Sequence, residues 1–276
     1  MRLFNKVAIV GVGLIGGSIG QAIKKKGLAK EIVGVSRHKK TLLLAKKLRA
    51  IDKGSLNLNI IRGADLVILA TPVDTIISLA ARISPLVDKD CIVTDVGSTK
   101  QKIVSKLERI FPRYIGTHPL AGSEKRGIAN APCVRFEDSL CIFTPTKNTE
   151  KKAEGKLKRL WVKLGTRIVF LTPTTHDRIL SFVSHLAHAV AFSLIASVPG
   201  QYLKFASGGL RSTTRVAASD TELWADIFLS NRKDIIRAVS IFQKHLSKIK
   251  SAINAKDKRL LIQILREAKA KKEILG

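Results

Sequence analysis

A serine and a histidine follow two short apolar segments, at positions where polar side chains can do chemistry. Ile92–Asp95 leads into Ser98, and Tyr114–Thr117 leads into His118. Histidine titrates near neutral pH and can therefore act as a general base. By spacing alone, His118 is equally compatible with a structural histidine, and Ser98 with the cap of a following helix. Both residues are candidates for catalysis.

Polar residues also recur at helical spacing in the second half of the chain. Ser184 and His188 are four residues apart and share one face of a predicted helix. No HExxH glutamate or obvious third ligand accompanies them, so we expect no metal site. Arg211 and Arg215 have the same spacing, and arginine forks suit carboxylates. Solvation at the surface is the alternative for these arginines.

The N-terminal segment VAIVGVGLIGGS places Gly11, Gly13 and Gly16 directly after an apolar run. A strand, a glycine turn and a helix in this order form a dinucleotide-binding fingerprint. Gly11 permits the turn, Gly13 leaves room for a pyrophosphate, and Gly16 allows close packing of helix and strand. Free N–H groups at the helix start then face the phosphates. The cofactor contacts expected here extend to Leu14, Ile15, Thr71 and Pro72.

The chain is strongly basic, with 49 Lys and Arg against 21 Asp and Glu and a formal net charge of +28. The excess is spread over both halves of the sequence, and aromatic residues make up only 5%. Nothing therefore predicts a surface that stacks on bases, and we expect no nucleic-acid partner. A lysine-rich solvated surface and steering of polyanionic ligands are both compatible with the charge.

Composition also bounds the size of the core and the cellular compartment. With 276 residues, 45% of them hydrophobic, the chain can bury a sizeable core in about two domains. Three cysteines without CxxC spacing predict buried thiols in a reducing compartment. Met1–Phe4 leads almost directly into the first predicted strand with no secretory pattern. We therefore expect a cytoplasmic protein.

Short apolar runs alternate with helical patterns through residues 1–171, whereas only helical patterns follow in residues 172–276. The first pattern predicts βαβ units and a mostly parallel, Rossmann-type sheet. The fold class is therefore α/β, with a dinucleotide-binding domain followed by an all-helical domain that can wall off its cleft. The predicted strands are Val7–Val10, Ile32–Val35, Leu66–Thr71, Ile92–Asp95, Tyr114–Thr117, Leu140–Thr144 and Ile168–Leu171. The predicted helices are 14–26, 39–50, 73–84, 99–111, 149–164, 174–198, 231–254 and 256–274.

One helical segment is apolar enough to require a choice between a membrane and a protein interior. Leu180–Val198 holds 19 residues without a formal charge, which is long enough to span a bilayer. It also contains His185, His188 and four serines. We therefore expect burial inside a domain or a dimer, and no membrane partner.

Taken together, these stretches resemble the prephenate/arogenate dehydrogenases of tyrosine biosynthesis. The matching segments occur in the expected order over nearly the whole chain: VGLIGGSIG, ILATPV, VTDVGSTK, GTHPLAGSEKRG, FVSHLAHAVAFSL and GGLRSTTRVAASDTELWADIF. The resemblance implies oxidative decarboxylation of a cyclohexadienol, with hydride transfer to a nicotinamide cofactor. It also implies a helical domain that forms a homodimer.

The same resemblance assigns roles to individual residues. His118 accepts the proton of the substrate hydroxyl, and Ser98 aligns that hydroxyl or His118. Arg215 corresponds to the family's arginine for the substrate carboxylate, and His188 to a contact with the substrate side chain. Weaker pocket candidates are Ser184, His185, Trp224 and Glu124, the last as a gate or supporting group.

The end of the second predicted strand departs from a common pattern of the family. Many members carry an acidic residue there that accepts hydrogen bonds from the adenosine ribose. Here the strand ends in Ser36 and Arg37, which suits the 2′-phosphate of NADP. We therefore expect NADP, with NAD bound less tightly. A solvated Arg37 is the alternative.

Two other functions remain open from the sequence. One is a different Rossmann and helical dehydrogenase of the β-hydroxyacid type, although such enzymes normally use a catalytic lysine. The other is a non-catalytic NADP-binding protein. Within the resemblance, the residues do not decide between arogenate and prephenate.

Overall fold

The first part of the chain forms one eight-stranded sheet in a computed structural model that describes residues 2–122 and 125–275. Its strands are β1 (Phe4–Val10), β2 (Ala29–Val35), β3 (Lys53–Ser55), β4 (Leu66–Leu69), β5 (Ile92–Asp95), β6 (Tyr114–Pro119), β7 (Leu140–Thr144) and β8 (Arg167–Phe170). The order across the sheet is β3-β2-β1-β4-β5-β6-β7-β8. All neighbours are parallel except β6 and β7, which are antiparallel.

Five helices cover this sheet: α1 (Leu14–Lys25), α2 (Lys39–Lys47), α3 (Val73–Ile83), α4 (Gln101–Leu107) and α5 (Lys151–Leu164). Successive side chains of a strand point to opposite faces. In β1, Val7 and Ile9 accordingly belong to one core cluster and Ala8 and Val10 to another. Because both faces are buried there, Val7–Val10 is apolar at every position, as expected of a parallel sheet.

After β8, every described element is helical. These helices are α6 (Pro173–Leu180), α7 (Leu186–Ser197), α8 (Gly208–Thr214), α9 (Thr221–Ser230), α10 (Arg232–Asn254) and α11 (Lys258–Leu275). Thr172 caps α6, since its hydroxyl accepts a hydrogen bond from the Thr175 amide at 3.1 Å, and Pro173 suits the first helical position. The predicted α/β fold class, with a helical part after a mostly parallel sheet, is confirmed.

The structure differs from the sequence prediction at several elements. All seven predicted strands are present, but β3 was not predicted because its three residues at the sheet edge carry no apolar run. The predicted helix 174–198 is interrupted by a π-helical turn over Ser181–His185. Cys133 is exposed, so the expectation of buried thiols is wrong for that residue.

The apolar helical segment is poorly covered within one chain. Of α7, only Ala191 is buried, so burial inside the domain, the first of the two expected alternatives, does not account for this helix. Among the described residues, Pro173–Ser197 is the one stretch that could cross a membrane by length and composition alone, and 22% of its most apolar window is buried. Burial in a dimer stays a prediction.

Candidate active site

The glycine turn after β1 is shaped by close backbone contacts. Gly11 adopts φ of 99°, which side chains rarely allow, and a Cβ atom there would lie 2.6 Å from the Ala70 carbonyl oxygen. A Cβ atom on Gly16 would collide with the Gly11 carbonyl oxygen. These two glycines therefore let α1 begin directly against β1 and β4, as their spacing predicted.

A cleft of about 680 Å³ lies over this turn, between the sheet and the helical part of the chain. At Gly13 a Cβ atom would meet nothing within 4 Å, so the backbone at the start of α1 is open to the cleft. The Thr71 hydroxyl is buried and has no hydrogen-bond partner among the described residues. Five of the predicted cofactor contacts line the cleft: Gly13, Leu14, Ile15, Thr71 and Pro72.

Ser36 and Arg37 occupy a different position from those five residues. They follow β2, beside the glycine turn, because the Gly11 amide donates to the Val35 carbonyl at 2.9 Å. Neither residue is among the described residues that line the cleft. Ser36 is half-buried and accepts a hydrogen bond from the His38 amide at 3.3 Å, while Arg37 is exposed. The structure thus leaves the NADP prediction to be tested in solution.

His118 lies on β6 and lines the same cleft. Its Nδ1 atom is 2.9 Å from Nε2 of His176. The Nδ1 atom of His176 is in turn 2.8 Å from a carboxylate oxygen of Asp177. Nδ1 of His118 is therefore hydrogen-bonded to His176, and the His118 side chain is half-buried.

The protonation of His118 is governed by burial and by positive neighbours. Burial holds the pKa of His118 well below its usual range, and the repulsion that a protonated His118 would meet from protonated His176, from Lys100 and from protonated His185 acts in the same direction. A histidine with a lowered pKa is neutral at physiological pH, which is the state in which its ring can accept a proton. The environment thus favours the base form.

Ser98 lies in the loop after β5 and lines the cleft with His118. A buried ion pair between Lys100 and Asp95 supports this loop. Asp95 also accepts hydrogen bonds from the Tyr114 hydroxyl at 2.6 Å and from the Gly97 amide at 2.8 Å. Ser98 does not cap α4, whose first residues instead donate to Asp177. The alternative that Ser98 is a helix cap is therefore wrong.

The opposite wall of the cleft comes from the helical part of the chain. Ser184 lies in the π-helical turn, a feature that is frequent at functional sites. The ring of His188 stacks on Trp224, with centroids 3.4 Å apart, and its Nδ1 atom is 3.1 Å from the Ser184 carbonyl. Arg215 also lines the cleft. Its charge, after the larger effect of burial, lowers the pKa of His188.

The cleft mouth is bridged by an ion pair between the two parts of the molecule. Arg126, in the segment after β6, pairs with Asp220 at the start of α9. The neighbouring candidate Glu124 lies outside the described residues. The structure therefore gives no test of Glu124 as a gate.

Three residues at the site escaped the sequence interpretation: Lys100, His176 and Asp177. His176 and Asp177 are completely buried just after the start of α6. The available signal was a histidine next to an aspartate in the first turns of a predicted helix, because the two side chains can pair with each other when they are buried. No group of three His, Cys, Asp or Glu that could hold a metal ion occurs within residues 2–122 and 125–275.

The sequence matches two family profiles that together span most of the chain. Residues 19–170 match the profile described as prephenate dehydrogenase, nucleotide-binding domain. Residues 172–267 match the profile described as prephenate dehydrogenase, dimerization domain. The two matches follow each other in the same order as the sheet and the helical part.

Individual relatives resemble the whole chain. A prephenate dehydrogenase of Bacillus subtilis is 34% identical over 279 residues, which cover 97% of this chain and 75% of the relative. A cyclohexadienyl dehydrogenase of Zymomonas mobilis is 33% identical over 282 residues, covering 97% and 95%. The crystal structure of prephenate dehydrogenase from Aquifex aeolicus in complex with hydroxyphenyl propionate and NAD+ matches with a TM-score of 0.91 at 35% identity, covering 99% of this chain and 98% of that one. The chain belongs to the prephenate dehydrogenase family.

Proposed function

We propose that this protein is a nicotinamide-dependent dehydrogenase of tyrosine biosynthesis that oxidatively decarboxylates prephenate, arogenate or both. The products are 4-hydroxyphenylpyruvate from prephenate and tyrosine from arogenate. The observation that carries the proposal is the position of His118, whose ring lies in the cleft between the glycine turn and the helical wall with its other nitrogen held by His176.

The C4 hydroxyl and the ring carboxylate are the two substrate groups that change in the proposed reaction. His118 accepts the proton of the ring C4 hydroxyl as the C4–H bond breaks, and Ser98 aligns that hydroxyl. The ring carboxylate then leaves as carbon dioxide, and the electrons of the broken C–C bond complete the aromatic ring. A proton returns to the phenolic oxygen, so the hydroxyl is kept in the product.

The helical wall supplies the remaining contacts of the proposal. Arg215 pairs with a substrate carboxylate, because guanidinium and carboxylate form charge-assisted hydrogen bonds. His188 contacts the substrate side chain, and its ring is fixed for this by stacking on Trp224. Ser184 and His185 line the same part of the cleft. Glu124 is retained as a candidate gate on the resemblance alone.

The start of α1 fits a dinucleotide. The open backbone at Gly13, the helix N-terminus and the unpartnered Thr71 hydroxyl together offer donors to a pyrophosphate or ribose. Leu14, Ile15 and Pro72 flank these donors. A bound nicotinamide ring would supply the hydride acceptor.

The choice between NAD and NADP rests on opposing observations. The relative from Aquifex aeolicus was crystallised with NAD+, so the comparisons give no support for an NADP preference. A carboxylate at the end of the second strand would bind the ribose and repel a 2′-phosphate. In this chain, Ser36 and Arg37 occupy that position instead. We propose that NAD is accepted and that Arg37 governs the use of NADP.

The proposal also covers assembly and location. The description of the second profile as a dimerization domain and the exposed apolar surface of α7 support a homodimer through the helical domain, residues 172–276, with residues 1–171 as the nucleotide-binding domain. A cytoplasmic location suits a biosynthetic dehydrogenase that uses a nicotinamide cofactor.

The direct test is a turnover assay with the purified protein. Prephenate and arogenate are each supplied with NAD+ and with NADP+, and the absorbance of the reduced cofactor is followed. The proposal expects turnover with at least one pair, with release of carbon dioxide in equal amount. Absence of turnover with all four pairs, in a protein that binds the cofactor, would overturn it.

A further inference from the structure

Two side chains, His176 and Asp177, lie in series behind the ring of His118. His118 Nδ1 is 2.9 Å from His176 Nε2, and His176 Nδ1 is 2.8 Å from Asp177 Oδ1. His176 and Asp177 are 0% exposed. His118 belongs to the sheet, whereas the other two residues begin the helical part of the chain. The series therefore crosses the junction between the two parts.

The carboxylate of Asp177 is held as an anion by further donors. The amides of Lys100 and Gln101 donate to it at 2.7 and 2.9 Å. Burial alone would raise the pKa of Asp177, but the hydrogen bond from His176 and those two amides outweigh burial and hold the pKa below its usual value. A carboxylate anion only accepts hydrogen bonds.

The direction of every bond in the series follows from that anion. Because Asp177 only accepts, Nδ1 of His176 must carry the proton. In a neutral ring the second nitrogen is then bare, so Nε2 of His176 accepts from His118. Nδ1 of His118 must therefore carry a proton, and its Nε2 is the bare nitrogen.

We propose that His176 and Asp177 are positioning residues that fix His118 in the tautomer whose bare Nε2 is the proton acceptor of the reaction. The proposal rests on the function proposed above for its catalytic consequence, whereas the tautomer itself is a property of the protein alone. The same series also stabilises the imidazolium that His118 becomes, since the proton on Nδ1 points toward a neutral acceptor backed by a carboxylate.

The side chains around this series do not offer His118 a competing arrangement. Lys100 pairs with Asp95 and not with a member of the series. Asn231 donates to the Asp177 backbone carbonyl at 2.8 Å and lies 3.3 Å from Nδ1 of His185. These contacts fix the start of α6 and the ring of His185, and they leave the Asp177 carboxylate to His176 and the two amides.

Substitution of Asp177 by Leu removes the acceptor of His176 with a side chain of similar size. Asn is unsuitable for this purpose, because the Asp177 oxygen that faces Nδ1 of His176 also accepts from the Lys100 amide, and an Asn carbonyl oxygen in that place would keep both bonds. Without the carboxylate, Nδ1 of His176 is no longer required to carry the proton, and the tautomer of His118 is no longer fixed. We expect kcat to fall by about 10²-fold or more in Asp177→Leu, with little change in KM.

Two substitutions of His176 separate the acceptor from the shape of the side chain. His176→Leu removes the acceptor and is expected to lower kcat strongly. His176→Gln restores a carbonyl oxygen that can accept from His118, and should recover part of the loss.

Ser230→Ala is the matched control, because it removes a 3.0 Å contact with Thr99 at the same junction without touching the series. It should keep kcat near the wild-type value.

The tautomer is measured directly by NMR of the protein labelled with ¹⁵N-histidine, with the His118 signals assigned by their loss in His118→Asn. The wild type should show a protonated Nδ1 and a bare Nε2 on His118, and Asp177→Leu should show a mixture of the two tautomers. A wild-type His118 protonated on Nε2, or a folded Asp177→Leu with wild-type kcat, would overturn the proposal. If the wild type turns over none of the substrates, the proposed function fails while the NMR result still decides the tautomer.

Discussion

The two walls of the cleft are stabilised in different ways. On the sheet side, β4 and β5 are buried at every position, and the loop carrying Ser98 is held by the buried pair of Lys100 and Asp95. On the helical side, the elements that line the cleft are less completely buried: α7 buries only Ala191 and the turn Arg215–Ala218 buries no residue, although α9 buries Trp224 and Ile227. The sheet wall is therefore buried within one chain, whereas part of the apolar surface of the helical wall stays accessible to solvent.

This difference separates what each wall can contribute to the reaction. A rigid, buried support suits the base and the cofactor, whose atoms must be aligned closely for proton and hydride transfer. A more exposed wall suits recognition of the substrate's charged ends. Substitutions on the sheet side, and of His176 and Asp177 that support His118, are therefore expected to lower kcat, whereas substitutions elsewhere on the helical side should mainly raise KM.

The largest expected effect is that of His118→Asn on the sheet wall. Loss of a general base typically costs about 10²- to 10⁴-fold in turnover, and we expect kcat to fall by that amount while KM changes little. The measurement is steady-state kinetics with saturating cofactor. The variant should bind cofactor as the wild type does. Turnover within a few-fold of the wild type would remove His118 from the role of base.

Arg215→Ala tests the helical wall and should act on binding. Hydrogen bonds to a charged group contribute roughly 1.5–3 kcal/mol, which corresponds to about a ten- to hundredfold rise in KM for the substrate. The KM of the cofactor should not change. Arg211→Ala, four residues earlier on exposed α8, is the matched control. A KM of Arg215→Ala equal to that of the control would place Arg215 outside the binding site.

Arg37→Ala tests the strand end without disturbing either wall. A charge-assisted bond to the 2′-phosphate predicts about a ten- to hundredfold lower kcat/KM with NADP+ in the variant. The value with NAD+ should be unchanged, because NAD+ has only ribose hydroxyls there. The wild type is assayed with both cofactors, and the prediction of an NADP preference expects the higher value with NADP+. An equal loss of kcat/KM with both cofactors would show that Arg37 does not bind the 2′-phosphate.

The proposed dimer explains the surplus apolar surface of the helical side and can be tested separately. We expect a dimer by light scattering at micromolar concentration, because large apolar surfaces rarely stay exposed on monomers. Ile236→Glu on α10 should shift the mass toward the monomer. Leu43→Glu on α2 is the control, since the two side chains are similarly exposed, 53% and 59%. A monomeric wild type would contradict the proposed homodimer.

The same contrast explains how much the sequence could predict. The strands and the glycine turn were predictable because buried apolar runs and the Gly11, Gly13 and Gly16 spacing are local signals. The contact between His118 and His176 joins residues 58 positions apart, and no local pattern encodes it. Likewise, the π-helical turn at Ser181–His185 interrupts a continuous apolar segment, so periodicity alone predicted one unbroken helix.

The residues of the helical wall were named by family resemblance rather than by their own pattern. His188 and Ser184 share a helical spacing that is equally typical of packed helices, and Arg215 lies in a short 3₁₀ segment, Arg215–Ala218, that carries no strong signal. The structure brings all three to the cleft. Their roles depend on the substrate, which leaves no trace in local propensity, and so kinetics must assign them.

The smallest expected effect is that of pH on kcat/KM near neutrality. The ring of His118 is active when unprotonated, so activity is present above its pKa in the folded protein and is lost as the pH falls through that value.

The groups that face the ring are His176 and Asp177 from α6, Lys100 before α4, and His185 in the π-helical turn. Burial, then repulsion from protonated His176, from Lys100 and from protonated His185, place the pKa of His118 well below 6.5. We therefore expect kcat/KM to be nearly constant from about pH 8 to the ordinary histidine value of about 6.5, and to fall only at more acid pH. The profile is measured at constant ionic strength, with the rate without enzyme subtracted at each pH. A fall to half of the plateau at or above pH 6.5 would show that the buried, positively charged surroundings of His118 do not set its protonation.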